Sequence, residues 1–312
     1  SAPSSARANG AVSTVPRGRL ADGTGAASYQ TWGRGGGARR VITAAMQHGI
    51  RFFDHADIYG QGQSERIFAE AVSELGVARE SMILQSKCGI RNGYYDSSRQ
   101  HILDSVDGIL ERLDTEYLDI LLLHRPDALM EPDEVAEAFS ALAANGKVRH
   151  FGVSNFRPSQ IELLQRSLDA ELIINQLQFG LAHSGLIDAG LNVNMDNEGA
   201  IDRDGNALDY CRLQGIGIQA WSPLQFGFFE GNFLDHPDFP ELNRCLDGMA
   251  EAFGCSPGAV AIAWILRHPA AMQAIIGTTD PARLAELSEA GRIALNKTEW
   301  YALHRAAGNR LP

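Results

Sequence analysis

Eight short apolar stretches, each followed by a helical pattern, constrain this chain more than any other feature. The stretches lie at residues 27–32, 51–54, 82–86, 117–123, 150–153, 172–175, 216–221 and 273–276. Between them the sequence predicts helices at 39–48, 64–75, 99–113, 132–144, from 158 onward, and at 207–214, 257–267 and 281–290. Ser64 reads as an N-cap and Pro158 as a first-turn proline, while Ile102, Val106, Ile109 and Leu113 form one apolar stripe. The strands are nearly all apolar, as expected where both faces are covered. No linker-rich break divides the series, which favours a (β/α)8 TIM barrel over a doubly wound sheet with a second domain. At 312 residues and 45% hydrophobic content the chain can bury a core of that size. The expected organisation is an N-terminal arm or hairpin over 1–25 and a single barrel domain over 26–312.

Charge and cysteine usage remove several function classes. A formal net charge of -11 and a pI near 5.3 argue against nucleic acid and acidic membrane surfaces as partners, so any phosphate site must be local. Cys88, Cys211, Cys245 and Cys255 are widely spaced, without a C-x-x-C pair, and read as buried free thiols. The first residues lack the apolar core of a signal peptide, and no apolar run approaches the ~18 residues of a membrane span, so a cytoplasmic location is the expectation. His55 and Asp57 have no second cluster to complete a metal site, and the acidic run at 202–206 reads as a turn.

Four chemically capable side chains fall at the carboxyl ends of strands two, three and four: Asp54 with Tyr59, then Lys87, then His124. Taken singly each has an ordinary structural explanation. Together at one rim they form a proton-donating set, because barrel chemistry assembles on those loops. An ordinary tyrosine has a pKa near ~10, and an ammonium beside it in a poorly hydrated cleft favours the phenolate. Asp54 would hold Lys87 charged and aimed, and His124 would hydrogen-bond the oxygen being protonated.

The stretches D-H-A-D-I-Y-G at 54–60, S-K-C-G at 86–89, Y-L-D-I-L-L-L-H-R-P-D at 117–127, G-K-V-R-H-F-G-V-S-N-F at 146–156 and I-I-G-T-T-D-P-A-R at 275–283 resemble the aldo-keto reductase superfamily, most of all its bacterial oxidoreductases with D-H-A-D-I-Y-G. The resemblance runs from about residue 26 to the C-terminus. It implies a (β/α)8 barrel and NADPH-dependent reduction of small-molecule carbonyls, or the reverse oxidation. It places the acid-base tyrosine on Tyr59 and its partners on Lys87, Asp54 and His124.

The resemblance also assigns cofactor contacts, in place of a dinucleotide fingerprint that the partial G-x-G matches at 23–25 and 60–62 do not complete. Thr31 joins the implied set. Ser154, Asn155 and Gln176 match the residues that hold the nicotinamide carboxamide, and Trp221 the aromatic on which the ring stacks. Ser222 and Leu224 belong to the pyrophosphate loop. Gly277, Thr278 and Thr279 precede a helix whose amides suit phosphate, and Arg283 matches the arginine that faces the adenosine 2'-phosphate. Gly277 stands where many members have lysine, and Leu287 where many have an adenine-contacting asparagine. Trp32 matches a substrate-pocket aromatic, with Tyr94 or Tyr95 as a further wall. The chain ends at Pro312, soon after a helix at 298–307, so the loops at 181–206 and 224–240 are expected to cover the pocket. Two other readings stand beside the enzyme: an NADPH-binding subunit acting through a protein partner, and a barrel lyase with Lys87 as Schiff-base nucleophile. Nothing in the sequence indicates an oligomeric state.

Overall fold

Side chains alternate between the inside of a cylinder and a surrounding helical layer along each strand, and this two-residue period organises the whole molecule. The computed structural model describes residues 26–28 and 36–311. The elements begin with β1 (Ala26–Ser28), α1 (Gly37–Gln47), β2 (Phe52–Asp54), α2 (Gln63–Leu75), β3 (Ile83–Cys88), α3 (Arg99–Leu113), β4 (Leu118–Leu123), α4 (Pro132–Ala144) and β5 (Val148–Ser154). They continue with α5 (Pro158–Gln165), β6 (Leu172–Gln178), α6 (Gly185–Leu191), α7 (Ala207–Gln214), β7 (Gly217–Trp221), α8 (Pro240–Phe253), α9 (Pro257–Leu266), β8 (Gln273–Ile276), α10 (Pro281–Ser288) and α11 (Lys297–Ala306). Each strand pairs in parallel with its neighbours, and β1 pairs with both β2 and β8, so the sheet closes into the predicted (β/α)8 barrel.

Outward residues such as Phe53, Leu121 and Phe151 pack beneath the helices in one cluster, and Ile218, Ala220 and Ile276 join Trp264 in another. Inward residues Phe52, Ile120, Leu122, Ile174 and Ile275 form a smaller apolar plug inside the barrel. Gly152 on β5 makes room for it: a Cβ there would lie 2.7 Å from Leu122 Cδ2 and 2.8 Å from the Ile174 carbonyl oxygen.

The helices follow their local signals closely. Ser98 accepts from His101 N–H to start α3, whose predicted stripe is buried, and Asp114 ends it in a left-handed conformation. Ser64 does not cap α2. Gly60, Gln61 and Gly62 all have positive φ, so the turn from Tyr59 enters the helix through Gly62 and leaves Ser64 buried as its second residue. Helix α8 was not predicted, although Pro240 opens it, Leu242, Leu246 and Ala250 bury one face, and Gly254 closes it. The stretch 181–206 is not purely loop, since it contains α6 and a short 3-10 turn at Glu198–Ala200.

All four cysteines are free, with Cys88 and Cys211 buried as expected and Cys245 and Cys255 only partly so. Among the described residues no single helix is long and apolar enough to cross a membrane; α8 and α9 pass together on length and composition but meet at 92°. The expected arm at 1–25, together with Thr31 and Trp32, lies outside the described residues.

Candidate active site

Strand β3 extends past the expected end because Lys87 and Cys88 remain paired with Leu122 and Leu123 of β4. Gln85 and Lys87 therefore share the inward face, while Leu84 and Cys88 enter the helical layer. Lys87 is not at the rim but fully buried inside the barrel. Its ammonium donates to Asp54 Oδ2 at 2.7 Å, to the His55 carbonyl oxygen at 2.9 Å and to Tyr59 Oη at 3.3 Å. All three donors of the ammonium are thus engaged. Burial alone would push the Lys87 pKa down, but the charges of Asp54 and Tyr59 and their hydrogen bonds hold it above the ordinary lysine value. A buried amine so occupied is not offered to the cavity as a free nucleophile, which counts against the Schiff-base alternative.

His124 meets the Tyr59 ring edge-on, with centroids 6.1 Å apart. Burial, then the Lys87 and Arg125 charges, push its pKa well below the usual histidine value, so it is a neutral imidazole at physiological pH. Its Nδ1 is buried without a hydrogen-bond partner among the described residues.

Asp54 is held by more than the lysine. Its second oxygen, Oδ1, accepts from Gln85 Nε2 at 2.7 Å and from Gln176 Nε2 at 3.2 Å. Gln219 and Gln273 continue this buried amide cluster. Gln85, Gln219 and Gln273 are not among the residues expected from the sequence, although each is a polar residue on a barrel strand. Gln176, expected just after β6, is inside the strand and paired with Gln219.

Above this layer opens a cavity of about 1080 Å³. Asp54, Tyr59, His124, Ser154, Asn155, Gln176, Trp221, Ser222, Leu224, Gly277, Thr278, Thr279 and Arg283 all line it. Of the predicted catalytic and cofactor-binding residues within the described range, Lys87 alone is absent from the lining, because it is buried behind Tyr59. Asn155 carries a positive φ of 61° and accepts from Trp221 Nε1 at 3.0 Å, while donating to Ser154 Oγ at 2.9 Å. One neighbour of the Trp221 ring is Phe229, stacked at 5.8 Å. At the start of α10, Asp280 already accepts from Ala282 N–H at 2.9 Å. The expected free helix-terminal amides are therefore reduced, and Thr278, Thr279 and Arg283 are the groups that face the cavity there.

The two expected lids differ. Gln225, Phe228, Phe229 and Asn232 line the cavity, with Gln225–Phe226 and Gly231–Asn232 forming a small hairpin. No residue of 181–206 does so; its Asp188 instead approaches His304 of α11 at 3.5 Å. Tyr95 lines the cavity and Tyr94 does not. His55 is buried edge-on against Phe68 at 4.5 Å, with burial pushing its pKa down to about 3. Among the described residues no group of three or more His, Cys, Asp and Glu is placed to hold a metal ion. The turn expected at 202–206 is closed by Asp202 Oδ1, which accepts from the backbone of Asp204 and Gly205.

A closed barrel with this buried Asp-Lys pair leading up to a tyrosine at its mouth is an aldo/keto reductase architecture. The chain belongs to the Aldo/keto reductase family, whose model matches residues 35–307. It is 36% identical over 282 residues to the oxidoreductase YdhF of Escherichia coli, covering 86% of this chain and 88% of that protein. It is 32% identical over 276 residues to a 6-dehydroglucose reductase of Agrobacterium fabrum, covering 85% and 86%. Among solved structures, an aldo/keto reductase from Klebsiella pneumoniae in complex with NADP and acetate superposes with a TM-score of 0.70 at 25% identity, covering 92% of each chain.

Proposed function

We propose that this protein reduces aldehyde or ketone carbonyls to alcohols with NADPH, or catalyses the reverse oxidation, with Tyr59 as the acid-base residue. The observation that carries this reading is the Lys87 ammonium, bonded at once to Asp54 and to Tyr59 Oη beneath a large cavity. Family membership and the NADP bound by the Klebsiella pneumoniae relative support the cofactor.

The residues fit such a group. Ser154, Asn155 and Gln176 would hold the carboxamide, Trp221 would stack against the ring, and Ser222 and Leu224 would meet the pyrophosphate. Gly277, Thr278, Thr279 and Arg283 would take the adenosine phosphate, and Ile262 and Leu287 give the cavity an apolar surface suited to a purine. Thr31, outside the described residues, joins this set. Bound there, the nicotinamide supplies the hydride that the carbonyl carbon receives.

Tyr59 supplies the proton. As charge grows on the carbonyl oxygen, the phenol donates to it, and Lys87 stabilises the phenolate left behind. Asp54 keeps the lysine charged and fixed. His124, being neutral, donates an N–H to the same oxygen without competing for the proton. Ile58, Ile90, Tyr95 and Phe228 line the same cavity and offer a carbonyl substrate an apolar and aromatic surface.

The test is Tyr59→Phe, assayed by NADPH absorbance against aldehydes, ketones and quinones, with polyhydroxylated carbonyls included because of the 6-dehydroglucose reductase relative. Loss of this acid is expected to lower kcat by about 10²-fold or more while NADPH affinity changes little. Near-normal turnover by the variant would remove the mechanism.

A further inference from the structure

The inside of the barrel carries a second layer of machinery, built from side-chain amides. Strand register sets it out: Asp54 pairs with Gln85 across β2 and β3, while Gln176 pairs with Gln219 and Gln219 with Gln273 across β6, β7 and β8. All five side chains are buried. Gln85 Nε2 donates to Asp54 Oδ1 at 2.7 Å and to Gln219 Oε1 at 2.8 Å. Gln176 Nε2 donates to the same two oxygens, at 3.2 and 3.0 Å. Gln219 Nε2 then donates to Gln273 Oε1 at 2.9 Å.

One charge dictates the direction of this chain. A carboxylate only accepts, so Gln85 and Gln176 must turn their NH2 groups toward Asp54. Gln219 must then offer them its oxygen, which points its own NH2 at Gln273. A single carboxylate thus orients four amides: Gln85 and Gln176 turn their NH2 groups to it, and Gln219 and Gln273 follow with their oxygens on the near side.

We propose that Gln85 and Gln219 are positioning residues for the acid-base chain: Gln85, with the cavity-lining Gln176, clamps Asp54 Oδ1 so that Oδ2 remains on Lys87, and Gln219, accepting from both amides, holds their NH2 groups in that direction. The proposal rests on the reductase reading of Tyr59. Its physical content is a sign. Donors directed at Asp54 offset part of its negative charge, so more of the Lys87 field reaches Tyr59. Removing Gln85, or the Gln219 oxygen that keeps the Gln85 and Gln176 donors aimed, lets Asp54 cancel more of that field, which disfavours the phenolate.

The experiment compares Gln85→Leu, Gln219→Met and Gln85→Glu with wild type. Tyr59 ionisation is read from ultraviolet phenolate absorbance, using Tyr59→Phe as the blank, and turnover is measured separately. Both amide deletions are expected to raise the Tyr59 ionisation pH and to lower kcat on the order of tenfold or more, as for displacement of a reacting group, with NADPH affinity nearly unchanged. Gln85→Glu adds a switch. Its new carboxyl lies beside Asp54 in a dry site, so it holds its proton above the ordinary carboxylate range and can donate to Asp54 while protonated. Turnover by this variant should approach wild type at acid pH and fall as pH rises through the new ionisation.

Folded variants with wild-type ionisation and turnover would overturn the proposal. So would a loss of turnover matched by lost thermal stability with Tyr59 ionisation unmoved. If Gln85→Leu does not fold, Gln85→Glu at acid pH and Gln219→Met carry the same test. Because phenolate absorbance needs no turnover, a failure of the reductase reading in wild type stays distinguishable from a failure of the clamp.

Discussion

A lysine with every donor occupied is confined to its fixed hydrogen bonds and the field it casts, and the acids around it therefore matter as much as the amine. Asp57 is the least settled of these. Burial first, then the Glu65 charge, push its pKa up to about 7, against the opposing charges of Arg112 and Lys87. Its Oδ1 is buried without a hydrogen-bond partner among the described residues. Glu65 itself is paired with Arg112 at 2.6 Å and accepts from Ser86 Oγ at 2.8 Å. Below the unfolded aspartate value of ~3.9, Asp57 is protonated in both states. Between that pH and about 7 the folded protein keeps a proton that the unfolded chain has released, so stability falls as pH rises through this window. Asp57→Asn removes that slope. Its thermal midpoint relative to wild type is expected to climb between pH ~4 and ~7 and then level off, each unit of the window being worth at most about 1.4 kcal/mol. Parallel curves for the two proteins would refute the raised ionisation. Asp54, Tyr59 and His124 were legible in the sequence because strand ends and the turns beyond them carry them to one cavity. Gln85, Gln219 and Gln273 were not, because their role appears only when ring closure brings β3 opposite β7 and β8.

At the scale of elements, packing inside the barrel sets tighter limits than local propensity. Gly152→Ala places a methyl against Leu122 Cδ2 and the Ile174 carbonyl oxygen, both nearer than a Cβ tolerates. The carbonyl belongs to the β6 backbone and cannot swing aside, so β5 must shift. The expected destabilisation is about 1–3 kcal/mol, measured by denaturant midpoint, with reduced kcat because Ser154 ends the same strand and Asn155 follows it. A neutral midpoint would show that β5 is less constrained than its contacts indicate. The same dependence on partners explains which boundaries the sequence disclosed. Helices α3, α4 and α7 begin and end at local signals, and their predicted limits match the structure. Strands β3 and β6 run longer than predicted because the neighbouring strand decides where pairing stops. Helix α8 was lost from view because its three buried positions, each four residues apart, follow directly on a Phe-rich loop.

The whole molecule sets a field that its cofactor must cross. A formal charge of -11 repels an anionic dinucleotide over tens of ångströms, whereas Arg283 at the cavity acts at contact range. Salt separates the two effects. The screening length falls from ~30 Å at 0.01 M to ~8 Å at 0.15 M, which suppresses the long-range repulsion far more than a direct guanidinium-phosphate contact. NADPH association, followed by stopped-flow fluorescence, is therefore expected to quicken as salt rises over this range. Arg283→Ala changes the total charge by one, so its association rate should respond to salt as wild type does. Its dissociation should be faster, and its preference for NADPH over NADH should shrink by about tenfold, the effect of one charge-assisted contact of roughly 1.4 kcal/mol. Association that slows with salt would mean that local cations govern the approach as well as the contact. Undiminished discrimination in Arg283→Ala would take the 2'-phosphate away from this residue and leave Thr278 and Thr279 to account for it.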